Sequence, residues 1–119
     1  MRWILITAAL FGASSIIIGA ALKHTAVELD SEILQTALRY HQIHSVVLLA
    51  LGLYGLGQEF NKKLMMSALL FTSGIVFFSG SLYGMFLLDM PALSILTPVG
   101  GIFFIMAWFS LICIKPPKQ

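Results

Sequence analysis

Four long stretches without a charged residue restrict what this chain can fold into. Between successive Asp, Glu, Lys or Arg residues, the uninterrupted stretches are 3–22, 40–58, 64–88 and 90–114. A helix needs about 20 apolar residues to cross a hydrocarbon core of about 30 Å, and each stretch is close to that length or longer. The sequence therefore predicts an all-α fold, an integral membrane bundle of four transmembrane helices, whose spans are about 3–22, 40–58, 64–88 and 91–114.

The composition agrees with a membrane location. Hydrophobic residues make up 59% of the chain and charged residues only 10%, and the mean hydropathy is +0.96. That leaves too little polar surface to cover a water-soluble domain. Because the four spans account for nearly all of residues 1–119, we expect one domain without a soluble module. The first stretch follows Arg2 as in a signal peptide, but it is long for a signal peptide's apolar region, so we expect it to be retained as a span.

Lysine and arginine in the short loops predict the orientation, because they favour the cytoplasmic side. With the N-terminus inside, the outer side carries only Lys23 and Arg39, and the inner side carries Arg2, Lys62, Lys63, Lys115 and Lys118. Both termini are therefore expected to be cytoplasmic. No basic cluster with interleaved aromatic residues indicates a nucleic-acid partner. The lack of an Arg- and Ser-rich presequence favours a bacterial inner membrane over a mitochondrial one.

The polar segment between the first two spans predicts a short amphipathic outer helix. Thr25 and Glu28 fit a capping box, and Asp30 or Ser31 is suited to the N-cap position. The residues that would share one side of this helix are Ile33, Leu34, Ala37 and Leu38. We expect the helix to lie partly along the membrane surface and to lead directly into the second span.

Small residues recur at the spacing of packed transmembrane helices. In lipid the hydrophobic effect does not drive helices together, so close backbone approach must supply much of their association. The predicted helix-packing residues are Gly12, Gly19, Gly80, Gly84, Gly100 and Gly101. The same surfaces would also serve a homo-oligomer. The single cysteine, Cys113, excludes an intramolecular disulfide and a cysteine-based metal cluster.

Polar side chains from several segments are predicted at one depth of the bundle. At about 1.5 Å per residue, His44, Ser81 and Thr97 would lie within about 10 Å of the outer boundary of the hydrocarbon. Polar groups in a membrane face the bundle interior or a water-filled cavity, so His44 should point inward. The simplest interpretation is that His44 bonds a carbonyl or hydroxyl of a neighbouring helix and has no ligand.

Three other interpretations compete with this one. His41 and His44 share a helical face and His24 ends the adjacent span, which would suit a metal or haem, although His41 is one turn nearer water and would reach toward it. A dyad of a serine, Ser79 or Ser81, with His44 lacks a carboxylate at that depth to orient the imidazole, so no catalytic residue is predicted. A transporter or channel lacks ionisable residues in the inner half.

Several ordered motifs resemble the YgdD-like family of small four-span membrane proteins, a bacterial group of uncharacterised function with relatives in eukaryotes. The family pattern "GAFGAH" is kept in part, and the other family patterns are kept closely. The matching residues are Gly19, Ala20, His24, Gln35, Thr36, Leu38, Tyr40, His44, 78–83 ("FSGSLY"), 97–101 ("TPVGG") and Trp108. The resemblance covers essentially the whole chain. Ala21, Leu22 and Lys23 depart from the first pattern, and His41 stands where the family carries glutamine, which leaves His24 and His44 as the pair that fits a metal site.

The resemblance implies a fold and a location but no mechanism, and the sequence itself requires no cofactor. Its motif residues fall in the outer half already identified as polar. Together they predict an outward-facing polar pocket formed by His24, Gln35, Tyr40, His44, Ser79, Ser81, Tyr83 and Thr97. The pocket is expected to bind a small ligand, an ion or a lipid headgroup. The rival is a scaffold whose polar residues form a structural network and whose partners are membrane lipids or another membrane protein.

Overall fold

The computed structural model describes residues 2–24 and 32–116, and all regular structure within them is helical. The main helices are α1 (Arg2–His24), α2 (Glu32–Gly55), α3 (Lys62–Gly74), α4 (Gly80–Leu87) and α5 (Leu96–Ser110). A π-helical turn (Ile75–Ser79) joins α3 to α4, and 3-10 turns precede and follow α5 (Pro91–Ile95 and Leu111–Cys113). The predicted all-α fold is confirmed.

Three helical segments of the described chain are long and apolar enough to cross a membrane. They are Arg2–His24, Lys62–Leu87 and Pro91–Cys113, and they agree with the first, third and fourth predicted spans. The helix α2 has 24 residues and is about 36 Å long, but the polar residues of its first half lower its hydropathy. A membrane crossing by α2, and with it the four-span topology and the orientation of the termini, stays a prediction.

The predicted outer helix is the beginning of α2 and not a separate element. The helix runs without interruption from Glu32 to Gly55. Leu34 and Ala37 are buried, as expected for the packed side of this segment, whereas Ile33 is exposed. The predicted capping residues, Thr25, Glu28, Asp30 and Ser31, lie outside the described residues.

The π-helical turn in the third span changes which residues face α2. Within it the backbone N–H of Gly80 donates to the carbonyl of Ile75, five residues back instead of four. This wider turn moves the following residues around the helix axis. Ser79, the last residue of the turn, and Tyr83, which follows the turn, both bond to α2, where a regular helix would place them differently.

The apolar core lies toward the end of the bundle where α1 and α3 begin. There α1 packs on α2, and α3 packs on α5. Ten buried residues form the cluster, namely Ile4, Ala8, Leu48, Leu51, Leu64, Ala68, Phe71, Ile75, Phe104 and Ala107. One polar pair interrupts this region, because the hydroxyls of Ser67 and Ser110 are 2.6 Å apart. Many large apolar side chains remain exposed around the bundle, which suits a surface facing lipid.

The glycines differ in how closely other helices approach them. A Cβ on Gly100 would overlap the backbone of Phe77 and Phe78, and a Cβ on Gly84 would overlap Leu93. Contacts at Gly19 and Gly101 are looser. By contrast, a Cβ on Gly12 or Gly80 would meet no atom of another helix within 4 Å in the described part of the chain, so these two glycines do not pack closely against the helices described. Close approaches also occur at Gly52 and Gly74, which the spacing of small residues does not predict.

Candidate functional site

A groove between the end of α1 and the beginning of α2 brings together two of the predicted ligand residues. This α1–α2 groove has a volume of about 540 Å³ and is lined by Ser15, Ile16, Gly19, Ala20, 22–24, Leu34, Gln35, Leu38 and Gln42. His24 and Gln35 are exposed in it, as are Lys23 and Gln42. The α1–α2 groove therefore combines one cation, an imidazole and two amides with apolar walls.

His44 lies in the interior, where both of its ring nitrogens are bonded. Its Nδ1 is 2.7 Å from the carbonyl oxygen of Tyr40, and its Nε2 is 3.1 Å from Nε1 of Trp108 on α5. The ring stacks on Phe104, with 3.8 Å between the centroids and 15° between the planes. Only 4% of His44 is exposed. This geometry matches the expectation that the side chain points inward.

The partners of His44 determine its protonation state. A carbonyl only accepts, so Nδ1 carries a hydrogen, and an indole N–H only donates, so Nε2 is unprotonated. His44 is therefore the neutral Nδ1–H tautomer. With the lone pair of Nε2 accepting from Trp108, neither ring nitrogen is available to bind a metal ion in this arrangement.

His41 is also interior, and the expectation that it would reach toward water is wrong. Only 3% of it is exposed, its Nδ1 is 3.0 Å from the Tyr83 hydroxyl, and its Nε2 is 3.2 Å from Oγ of Ser14. Ser14 donates its own hydrogen to the carbonyl of Phe11, so it accepts from His41 Nε2–H, and the Tyr83 hydroxyl donates to Nδ1. The histidine thus links α2 to α1 on one side and to α4 on the other.

The predicted serine and threonine residues bond within the bundle. Oγ of Ser79 donates to the carbonyl of Ala37 at 2.8 Å and so joins the π-helical turn to α2. The hydroxyls of Ser81 and Thr97 are 2.6 Å apart and join α4 to α5. Tyr40 is exposed, and its ring packs edge-on against Phe78 with a centroid distance of 4.6 Å.

The structure distributes the eight predicted residues over several places. His24 and Gln35 share the α1–α2 groove, and Ser79 and Tyr83 line a crevice of about 250 Å³ beside His41. Ser81 and Thr97 form their own pair, while Tyr40 and His44 belong to the aromatic cluster around Phe104. His44 does not line the α1–α2 groove, so His24 and His44 do not converge there. Among the residues that the structure describes, no three His, Cys, Asp or Glu side chains group as metal ligands.

Several residues of these networks were not predicted. Ser14, Phe104 and the pair Ser67 and Ser110 carry no distinctive sequence signal, because serine and phenylalanine are common in apolar helices. The family motif includes Trp108 but implies no role for it. Its single N–H, on a helix otherwise poor in donors, was the available signal that a buried acceptor such as His44 lies opposite.

Comparison with known proteins identifies the family. Residues 18–101 match the family described as "Protein of unknown function (DUF423)". A UPF0382 membrane protein of Staphylococcus aureus is 36% identical over 78 residues, which cover 66% of this chain and 62% of that relative. A UPF0382 membrane protein of Haemophilus influenzae is likewise 36% identical over 78 residues, which cover 66% of this chain and 61% of that relative. In both relatives the match spans about three fifths of the whole protein.

An Escherichia coli protein matches a longer part of the chain. The UPF0382 inner membrane protein YgdD is 31% identical over 111 residues, which cover 90% of this chain and 84% of YgdD. No solved structure matches. Together with three helices able to cross a membrane, these relatives confirm the predicted inner-membrane location. The chain therefore belongs to the DUF423 family of membrane proteins, as its resemblance to the YgdD-like family predicts.

Proposed function

We propose that this protein is a four-span binding module of the bacterial inner membrane, and that the α1–α2 groove binds a small ligand with an anionic group. The proposal rests on a difference in exposure between two sets of predicted residues. His24 and Gln35 are exposed in the α1–α2 groove, whereas His44, Ser79 and Ser81 are buried and bonded inside the protein. Only the first set is open to a ligand without breaking the bundle.

The chemistry of the α1–α2 groove favours a ligand that is both charged and partly apolar. Lys23 supplies a cation, and the amides of Gln35 and Gln42 offer both donors and acceptors. Ile16 and Leu38 contribute apolar walls. A carboxylate or phosphate attached to an apolar body, as in a lipid headgroup with its adjoining chain, would use both kinds of surface.

The packing of α2 supports a fourth span. This helix contacts α1, α3, α4 and the π-helical turn. Its polar residues are bonded to other helices, His41 to α1 and α4 and His44 to Trp108 of α5. A transmembrane helix whose polar residues are sheltered by protein needs less hydropathy than one surrounded by lipid. The modest hydropathy of α2 therefore fits a helix that crosses the membrane with its polar residues sheltered by the other helices.

A scaffold role is the second candidate, and the bonding of the two histidines favours it. Both nitrogens of His41 and of His44 have partners, and together they connect α2 to α1, α4 and α5. Such a network fixes the relative positions of helices that lipid alone does not drive together. In this alternative the α1–α2 groove would have no ligand.

Native mass spectrometry of the protein extracted from its own membrane separates the two candidates. The binding proposal predicts that a small molecule stays bound to the wild type and is lost from the double variant His24→Ala/Gln35→Ala. The control is Arg39→Ala, which changes an exposed residue of α2 outside the α1–α2 groove and should retain the molecule. A wild type that carries nothing, or a double variant that retains the molecule equally, would favour the scaffold.

A further inference from the structure

A second groove lies at the opposite end of the bundle and is rich in lysine. It forms where the loop between α2 and α3 meets the chain beyond α5, has a volume of about 720 Å³, and is lined by residues 57–63 and Lys115. We refer to it as the lysine groove. Lys62, Lys63 and Lys115 supply three positive charges against the one negative charge of Glu59, so the lining has a net charge of +2.

Local hydrogen bonds hold the walls of the lysine groove in place. Gly57 has a φ of 76°, which lets the chain turn sharply after α2. Oδ1 of Asn61 accepts from the backbone N–H of Lys63 at 3.1 Å and so caps the start of α3. The Tyr54 hydroxyl donates to the carbonyl of Lys115 at 3.3 Å, which ties the end of the chain to α2. Lysines from two distant parts of the sequence are thereby brought to one groove.

The lysine groove lies at the end of two apolar helices. The candidate span Lys62–Leu87 begins at its wall, and the candidate span Pro91–Cys113 ends two residues before Lys115. Phe60, which lines the groove, is 69% exposed, and Ile112, three residues before Lys115, is 80% exposed. The charged lining therefore borders a surface suited to hydrocarbon, whether or not α2 also crosses the membrane.

We propose that the lysine groove binds the phosphate of an anionic phospholipid. The phosphate would lie among the lysines, and the acyl chains would run along the apolar surface that includes Ile112. A free phosphate ester would use the charges but leave the adjoining apolar surface unused, which is why a lipid fits the combination better. Basic pockets beside transmembrane helices recognise lipid headgroups by this chemistry. The proposal does not depend on a ligand in the α1–α2 groove.

Lipid titration into the purified full-length protein in detergent, followed by native mass spectrometry, tests the proposal. The probes are phosphatidylglycerol, which is anionic, and phosphatidylcholine, which carries no net charge. The groove variant is Lys62→Gln/Lys115→Gln. The control variant Arg2→Gln/Arg39→Gln loses the same two charges, and neither arginine lines the lysine groove. Thermal unfolding of all three proteins checks that each variant is folded.

We expect the wild type to bind phosphatidylglycerol in preference to phosphatidylcholine. The groove variant should bind phosphatidylglycerol about thirtyfold more weakly, since one lysine near a membrane surface contributes about fivefold. The affinity of the control variant for phosphatidylglycerol should stay within about twofold of the wild type, since neither arginine lines the lysine groove. Equal weakening in the groove and control variants would show that only overall charge matters and would overturn the site.

Glycerol 3-phosphate distinguishes a lipid from a soluble phosphate ester. It carries a phosphate ester, a monoester instead of the diester of the lipid, but no acyl chains. We expect it not to displace phosphatidylglycerol at equal concentration. If it does displace the lipid, the lysine groove is a site for soluble phosphate esters and the assignment to a phospholipid is wrong.

Discussion

Trp108 of α5 donates its indole N–H to Nε2 of His44 in α2, and the two nitrogens are 3.1 Å apart. Since an indole N–H only donates, the bond exists only while Nε2 of His44 is unprotonated. The same ring gives its Nδ1 hydrogen to the carbonyl of Tyr40 and stacks on Phe104. One side chain thus joins two helices and is kept neutral by its partners.

Replacing Trp108 with phenylalanine should destabilise the protein by about 1 kcal/mol, because the buried Nε2 of His44 loses its donor. The free energy of unfolding in mixed detergent micelles measures the loss. Trp3→Phe is the matched control, since Trp3 packs against the same apolar core without contributing to this bond. Equal losses in the two variants would mean that the change in aromatic volume, and not the hydrogen bond, is responsible.

The hydrogen bond between Tyr83 and His41 should contribute a similar amount to the free energy of unfolding. Tyr83→Phe removes the hydroxyl that donates to His41 Nδ1, and we expect a loss of about 1 kcal/mol in unfolding free energy. Tyr54→Phe serves as comparison, because the Tyr54 hydroxyl forms an exposed bond to the carbonyl of Lys115. A Tyr54 variant as unstable as the Tyr83 variant would contradict a special role for the interior bond.

The two buried histidines should differ in tautomer. The hydrogen-bond partners assign hydrogen to Nδ1 of His44 and to Nε2 of His41. Nitrogen-15 NMR of histidine-labelled protein, with each resonance assigned by a His→Gln variant, measures this directly. Two neutral rings with opposite tautomers are expected. A ring protonated on both nitrogens near neutral pH would show that its acceptor bond is not formed.

Gly100 should tolerate a methyl group poorly. The Cβ of Gly100→Ala would overlap the backbone of Phe77 and Phe78, which cannot rotate away as a side chain can, so we expect a loss of about 1–3 kcal/mol. At Gly80 a Cβ meets open space. Gly80→Ala should therefore leave stability unchanged or raise it slightly, by reducing the freedom of the unfolded chain. Thermal unfolding that ranks the two variants in the opposite order would contradict the packing.

The sequence predicts the elements well and the connections between side chains less well. The long stretches without a charged residue identify the helices. Counting residues from the membrane boundary places Ser81 and Thr97 at one level, and in the structure their hydroxyls are 2.6 Å apart. The interior position of His41 could not be predicted in this way. It depends on Tyr83, whose direction is set by the π-helical turn, and the sequence carries no clear signal for that turn.

The spacing of residues along a helix also does not determine which neighbour each side of the helix faces. Small residues four positions apart identify Gly84 as a close contact, but the same rule selects Gly12 and Gly80, which face open space. Likewise, the sequence brings His24 and His44 to the same end of the bundle without showing that they face different neighbours. The direction in which a helix faces depends on how all the helices pack, and no single helix encodes it.

Cysteine labelling on either side of α2 tests whether this helix crosses the membrane. In a Cys113→Ser background, the single-cysteine variants Glu32→Cys and Glu59→Cys are treated in intact cells with a maleimide that does not cross membranes. If α2 spans the membrane and the N-terminus is cytoplasmic, Glu32→Cys is labelled and Glu59→Cys is protected until the cells are opened. If both cysteines are labelled or both are protected in intact cells, α2 does not cross the membrane and the four-span topology is wrong.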